Sequence, residues 1–321
     1  MPLAAQPAAR GRRVISVIGV DHYARWPRLH NAVNDARAVE AAFLELGFET
    51  VAPSLFDAQA TRAAIDDLFD ALGRRLTSDD HLVVFFAGHG GTITRRTGAR
   101  EVTTGYLIPV DGTHVDDRPG SLFELDALLL RISRFSALHI LVILDACYAG
   151  LALAPSSILQ RPRGGGPPAA DPYERLHARA SRILIASTLD NEQAQDGGAL
   201  PGHSLFTACL LHALVRDMPR IDLGGGRSGV HASSLGVYVR DHVHLGQLGA
   251  RQTPDFGRFG NDDRGDMPIV LDPAGGLRVA PRGSTPRLAY AGGTPRAAEE
   301  PALAAILPVN RARPIALAGL A

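Results

Sequence analysis

Two stretches decide the fold: HLVVFFAGHGG at residues 81–91 and LHILVILDACYAG at residues 138–150. Each opens as a short apolar run rich in β-branched residues, the pattern of a strand buried on both faces. Each then gives way to small residues that carry a reactive group. His89 stands among Gly88, Gly90 and Gly91, and Cys147 follows Asp145-Ala146. These two residues are 58 positions apart (147 − 89), so a reaction that uses both needs a fold with the two strand ends side by side.

The flanking sequence supplies such a fold. Val14–Val20 reads as another buried strand, and Asn31–Leu46 as a helix with Val33, Ala36, Val39, Phe43 and Leu46 on one face and Gly47 as the stop. Phe48–Ala52 reads as a strand, Ala60–Leu72 as a second amphipathic helix and Leu122–Ile132 as a third. Further on, Arg182–Ser187 reads as a strand, Ser204–Val215 and Ser233–Leu248 as helices, and Pro268–Leu271 as a last short strand. Strands alternating with helices predict βαβ crossovers and an α/β fold with a mostly parallel sheet. In open sheets of this kind, sites gather at the carboxyl ends of the strands, where His89 and Cys147 fall.

Composition narrows the function. The chain has 321 residues, 45% of them hydrophobic, enough for a large core. Thirty-three basic residues balance 33 acidic ones, which argues against a nucleic-acid or anionic-membrane surface. Every basic residue is arginine, because the sequence has no lysine. Two cysteines make no disulfide framework, and no Cys/His spacing resembles a zinc site. Neither a signal-peptide core nor a membrane-length apolar run is present, so the expectation is a cytoplasmic protein. Residues 1–12 read as a flexible N-terminus, 13–272 as one domain, and 273–321 as a disordered or loosely docked tail rich in Ala, Pro, Gly and Arg. Within the domain, 151–180 interrupts the rhythm with RPRGGGPPAADP and reads as an exposed linker between parts 13–150 and 181–272.

A cysteine beside a histidine can be held as a thiolate and act as an acyl-transfer nucleophile. Glycines beside the histidine let backbone N–H groups approach a carbonyl oxygen, as an oxyanion hole requires. With these motifs in order, the chain resembles caspase-fold cysteine peptidases, and among them the prokaryotic metacaspase-like branch. The resemblance is carried by VISVIGVDHY, LHNAVNDARAVEAAFLELGF, DDHLVVFFAGHGG, GYLIPVDG, LVILDACYAG, ILIASTLDNEQAQDGG and HSLFTACLLHALV. It implies a caspase/hemoglobinase-like three-layer αβα sandwich, a catalytic dyad of His89 and Cys147, and an oxyanion hole from the N–H groups of Gly90 and Cys147. Animal caspases carry Gln two positions before the nucleophile, whereas Asp145 stands there in this chain. In metacaspase-like enzymes that aspartate and a second one, matched by Asp35, line the S1 pocket for a basic side chain. The resemblance therefore implies protein substrates cut after Arg, and after Lys as well.

Plainer readings stand beside these. Asp35 also fits a first-turn helix carboxylate favoured by the macrodipole, and Asp145 a structural acceptor. Cys209 reads as a core residue, and His203 as a loop residue before a helix, not as a second base. Ala87 and Tyr148-Ala149 depart from the family's usual residues, and no aspartate cluster of the calcium-binding kind is recognisable around 123–128, so neither a metal nor another cofactor is expected. The linker sits where caspases are split into large and small subunits. It holds Arg161, Arg163, Arg175 and Arg179 as candidate processing sites, for the enzyme itself or for an upstream activating protease. The exposed loop Thr94–Arg100 is another candidate. Prokaryotic relatives often serve stress, cell-death and anti-phage circuits, so the resemblance implies a protein partner, and the processing sites an enzyme latent until processed or triggered. A caspase-fold scaffold that recruits a partner effector is the alternative, and the intact dyad counts against it.

Overall fold

The computed structural model describes residues 11–98, 100–114, 119–153, 172–189, 201–214, 218–223, 227–245 and 252–271. In chain order the elements are β1 (Arg13–Gly19), α1 (Ala32–Glu45), β2 (Leu55–Phe56), α2 (Arg62–Arg75), β3 (His81–Ala87), β4 (Gly90–Thr97), β5 (Arg100–Leu107), β6 (Phe123–Glu124), α3 (Leu125–Ser133), β7 (His139–Asp145), α4 (Pro172–His177), β8 (Ser181–Ala186), α5 (Leu205–His212), β9 (Ile221–Asp222), β10 (Ser228–His231), α6 (Ala232–Leu245), β11 (Asp255–Arg258) and β12 (Pro268–Val270).

The apolar runs become the centre of a six-stranded sheet in the order β11-β8-β7-β3-β1-β2. All its pairs are parallel except β11 with β8. Alternation sends successive side chains to opposite faces. Ile15, Val17, Val83, Phe85, Leu141 and Ile143 pack under α1, α5 and α6, through Val39, Phe43, Phe206, Leu210, Leu235 and Val239 among others. Val14, Leu82, Val84, Phe86, Val142 and Leu144 pack on the other face against Ile65, Phe69 and Leu72 of α2 and Leu129 and Ile132 of α3. Helices thus cover both faces, and the α/β three-layer sandwich with a mostly parallel sheet is the observed architecture. Among the described residues, no helix is long and apolar enough to cross a membrane.

Four expectations need correcting. Residues 48–52 form no strand: Glu49 makes an isolated bridge with Val14, and the chain pairs with β1 again only at Leu55–Phe56. Pro53, which has no N–H to donate, lies in the gap. The segment 94–100 is no loose loop but the outer part of the β4–β5 hairpin, paired from Gly90↔Leu107 to Thr97↔Arg100. Its glycines and charged side chains hid the alternation. The linker is not bare throughout: residues 149–153 form a 3-10 turn and 172–177 form α4. Arg12, read with the flexible N-terminus, is tied to buried Asp80 by an ion pair of 2.7 Å. Residues 273–321, Arg161 and Arg163 lie outside the described residues.

Strand β8 is fastened by a buried arginine. The Arg182 guanidinium donates to the carbonyls of Ser133, Phe135, Ala137, Leu138 and Ser181 at 2.8–3.2 Å. It thereby pins the turn between α3 and β7. Arg182→Met keeps the stem but leaves those carbonyls without their donor, and is expected to cost about 3–5 kcal/mol. A shift of the urea midpoint too small for 1 kcal/mol would refute this account.

Two imidazole pairs join strands and helix at the far end of the sheet. His81 and His139 face each other in register at the starts of β3 and β7, with Nδ1–Nδ1 at 2.8 Å. The His139 Nε2–H donates to the Arg179 carbonyl at 3.1 Å, so in its neutral form His139 accepts at Nδ1 from His81. Beside them His177 of α4 meets His231 of β10, Nε2 to Nε2, at 2.9 Å. Burial, reinforced by neighbouring positive charge, lowers His81 to about 4 and His139 to about 3. An unfolded histidine titrates near 6.5, so the unfolded chain takes up these protons first. Stability from this pair is complete above about pH 6.5 and is expected to fall from there toward pH 3–4. Denaturant midpoints across that range check it, and a His81→Asn/His139→Asn variant should flatten the slope.

Candidate active site

The candidate dyad, His89 and Cys147, is placed by strand register. β3 and β7 are neighbouring parallel strands with Ala87 opposite Asp145. His89 and Cys147 each lie two residues beyond that pair, at the same sheet edge. The Gly88 N–H donates to the Asp145 carbonyl at 3.2 Å, which continues the pairing past the strand ends. Gly90 is the next link. A Cβ there would stand 2.0 Å from the Cys147 carbonyl oxygen and 3.3 Å from its nitrogen, so only glycine lets these two backbones meet. The predicted His89, Gly90 and Cys147 are therefore together.

The histidine is oriented by the loop after β1. The Asp21 carbonyl accepts from Leu29 N–H, and its carboxylate accepts from Ala32 and Val33 N–H at 2.8 and 3.3 Å, which closes the loop onto the start of α1. Three residues of that loop hold His89. Tyr23 accepts the His89 backbone N–H at 2.7 Å and places its ring 4.7 Å from the imidazole. Trp26 lies 5.9 Å away on a second tilted ring contact. The Pro27 carbonyl accepts from His89 Nε2 at 2.8 Å. A carbonyl only accepts, so neutral His89 carries its proton on Nε2, which makes Nδ1 its basic nitrogen. Burial holds the Tyr23 phenol well above its ordinary value, so it stays protonated.

Cys147 follows β7 in a tight turn. Tyr148 takes a left-handed φ of 61°, a conformation that costs a non-glycine residue about 1–2 kcal/mol. Cys147 is half-buried at this edge. Cys209 sits in α5, where burial pushes its thiol up to about 12, and it has no thiolate to offer at neutral pH.

The two predicted pocket carboxylates are also brought together, through one residue. Asp35 accepts from His203 Nδ1 at 2.6 Å on one oxygen and from Ser204 N–H at 3.1 Å on the other. Asp145 accepts the hydroxyls of Ser204 at 2.5 Å and Thr207 at 2.8 Å. Burial and the charge of Asp35 push the Asp145 carboxyl up to about 7, and burial raises Asp35 too. Asp35 lies in the first turn of α1, as the plainer reading had it, and Asp145 is a structural acceptor. Those roles coexist with a shared acidic locus two residues from Cys147.

The candidate processing sites separate. Arg175 lies within α4, and Arg179 carries the carbonyl bonded by His139, at the opposite end of β7 from Cys147. Sequence reading missed Tyr23, Trp26, Pro27, Ser204 and Thr207, and passed over His203. Tyr23 and Trp26 were visible as aromatic residues just after a strand end. The Pro27 contact is a backbone carbonyl and leaves no trace in residue type.

Comparison with known proteins follows this geometry. The sequence matches the family model described as Caspase domain over residues 12–258. No match was found among curated proteins. Among solved structures, the crystal structure of protein GSU0716 from Geobacter sulfurreducens is similar, with a TM-score of 0.52 and 18% identity over 78% of this chain and 95% of that one. At that identity the likeness concerns the fold alone. The family match spans the whole sheet from β1 to β11, with the dyad pattern at its carboxyl edge. This chain belongs to the caspase-domain family of cysteine peptidases.

Proposed function

We propose that the chain is an endopeptidase of the metacaspase-like branch that cleaves proteins after arginine, and after lysine more weakly. The observation that carries this reading is the joining of Asp35 and Asp145 through Ser204, with Asp145 two residues before Cys147. Two carboxylates at one place suit a guanidinium, which takes charge-assisted bonds from a planar fork. They would repel the acidic side chain that animal caspases select.

In the proposed reaction the Cys147 thiolate attacks the scissile carbonyl, and the N–H groups of Gly90 and Cys147 receive the oxyanion. His89, oriented by Pro27 and Tyr23, takes the Cys147 thiol proton on Nδ1 as the thiolate forms and gives it to the leaving amine. The acyl-enzyme forms as that amine departs. His89 then takes a proton from the attacking water, and the thiolate leaves. A peptide library scored by the residue before the cut tests the reading. Arg is expected first and Lys second, with Asp and Glu uncut; a preference for Asp or for an apolar residue would overturn it.

Latency belongs to the same proposal. Of the linker arginines, Arg175 is held in a helix and Arg179 by a bonded carbonyl, whereas proteolysis needs an extended chain. Processing is therefore proposed at Arg161 or Arg163, by the enzyme itself or by an upstream protease. A role in a bacterial stress, cell-death or anti-phage circuit is the context that the resemblance supplies.

A further inference from the structure

We propose that His203 and Ser204 are specificity-determining positioning residues, which lock Asp35 and Asp145 into the array that favours arginine over lysine. The inference rests on the reading that these carboxylates receive a basic side chain. It goes further by assigning the selectivity to a part of the chain that brings no catalytic group.

The geometry is unusual in how much one residue does. Ser204 is the N-cap of α5, and its hydroxyl oxygen accepts from Thr207 N–H at 2.9 Å. The same hydroxyl gives its single proton to Asp145, and the backbone N–H of Ser204 goes to Asp35. Rotating the Ser204 side chain away would cost the cap and the Asp145 bond together, so its rotamer is fixed. The Thr207 hydroxyl donates to the same Asp145 oxygen, Oδ2, as Ser204 does. That oxygen is thereby turned toward α5, which fixes the plane of the carboxylate.

Asp35 is held as firmly. His203 Nδ1–H takes one oxygen and Ser204 N–H the other. The His203 ring is in turn backed by Asn34, whose amide stands 3.5 Å from Nε2 and donates to the Gly202 carbonyl at 2.5 Å. A carboxylate offers about four acceptor sites, so one donor on each oxygen leaves capacity on both edges. Both acidic groups are almost wholly buried, at 1% and 6% exposure, and so cannot swing to follow a ligand.

Rigidity is what separates the two basic side chains. A guanidinium is a planar fork that gains most from acceptors fixed in matching positions. An ammonium is a point charge with rotatable donors and adapts to looser ones. Removing the donors that set the carboxylate planes should therefore weaken arginine and leave lysine nearly as it was. His203 and Ser204 lie beyond the linker, while Asp35 and Asp145 lie before it. The second part of the chain thus tunes a pocket whose charges belong to the first.

The experiment compares fluorogenic peptides identical except for Arg or Lys before the cut, on full-length wild type, Ser204→Ala, His203→Ala and His203→Asn. Wild type should favour Arg at least tenfold in kcat/KM. Ser204→Ala and His203→Ala should lower that ratio at least fivefold by raising KM for the Arg peptide, with kcat within about threefold. His203→Asn places an amide N–H where Nδ1–H was and should restore the ratio. The inference is overturned if the ratio holds in both alanine variants, or if kcat falls alike for both peptides, which is the mark of a merely structural role. A wild type that cuts neither peptide but cuts another residue class would instead bring down the pocket reading, and this inference with it, before any variant is made.

Discussion

Cys147→Ala is expected to reduce cleavage of an arginine peptide by at least about four orders of magnitude, to the level of a catalyst left with binding alone. The reason is positional as well as chemical. Cys147 stands two residues past the β3–β7 register pair and beside Gly90, and Cys209 cannot substitute for it, half-buried in α5 with its thiol pushed up to about 12. Cys209→Ala should accordingly leave the rate within a factor of about two. His89→Ala should approach the loss seen for Cys147→Ala, because residues that act as a unit do not contribute additively. Any self-processing between 151 and 171 should vanish with the peptide activity in Cys147→Ala. Residual processing in that variant, in the absence of other proteases, would assign the reaction to a different nucleophile.

Asp145→Asn should lower kcat/KM for the arginine peptide by roughly two to three orders of magnitude, or about 3–4 kcal/mol, the range for removing one partner of a buried charge pair. A neutral peptide, if cut at all, should be affected far less. pH should report the same group. Asp145 is pushed up to about 7 by burial and by Asp35, and in the proposed pocket an arginine side chain would bind its ionised form. As pH falls through about 7 the carboxylate takes a proton, and KM for the arginine peptide rises; Asp145→Asn should abolish that limb. The ionisable groups facing Asp145 are Asp35 from α1 and, behind it, His203 from the loop before α5. The stability effect has the opposite sign. A carboxyl whose pKa is raised by folding binds more protons in the folded state, so its contribution is lost as pH rises from about 4 through 7. Asp145→Asn should thus be the more stable protein at pH 8 while being the poorer enzyme, a trade between stability and activity. If it is both less stable and unchanged in selectivity, Asp145 serves the fold alone.

The parts of this molecule that could be read from sequence are those fixed by short-range rules. Residues 81–87 form β3 with the bounds that their apolar run marks, because a strand covered on both faces has no polar side to blur its limits. α1 ends before Gly47, which takes φ of 82° as a helix stop should. That His89 and Cys147 share one sheet edge was legible because Gly-His-Gly-Gly and Asp-Ala-Cys each follow such a run. What stayed hidden depends on contacts across long stretches of chain. Asp35 meets His203 across 168 positions, and Ser204 meets Asp145 across 59. No local pattern announces that a helix cap will also bridge two carboxylates. The β4–β5 hairpin was missed for another reason. Its strands are two-sided and polar, as in Thr92-Ile93-Thr94-Arg95-Arg96, so no buried face imposed a period on them.

That hairpin bears on how the molecule tolerates change. It leaves the sheet one residue after His89, yet the histidine is held at its base, by Tyr23, by Pro27 and by the Ile108 N–H on its own carbonyl at 3.1 Å. The far tip carries Gly98, with φ of 64° and open space where a side chain would grow. Eight paired positions separate that tip from the edge that holds His89 and Cys147. The outer hairpin is thus expected to behave as a cantilever, one that tolerates lengthening, shortening or fusion to another domain while His89 at its root stays in place.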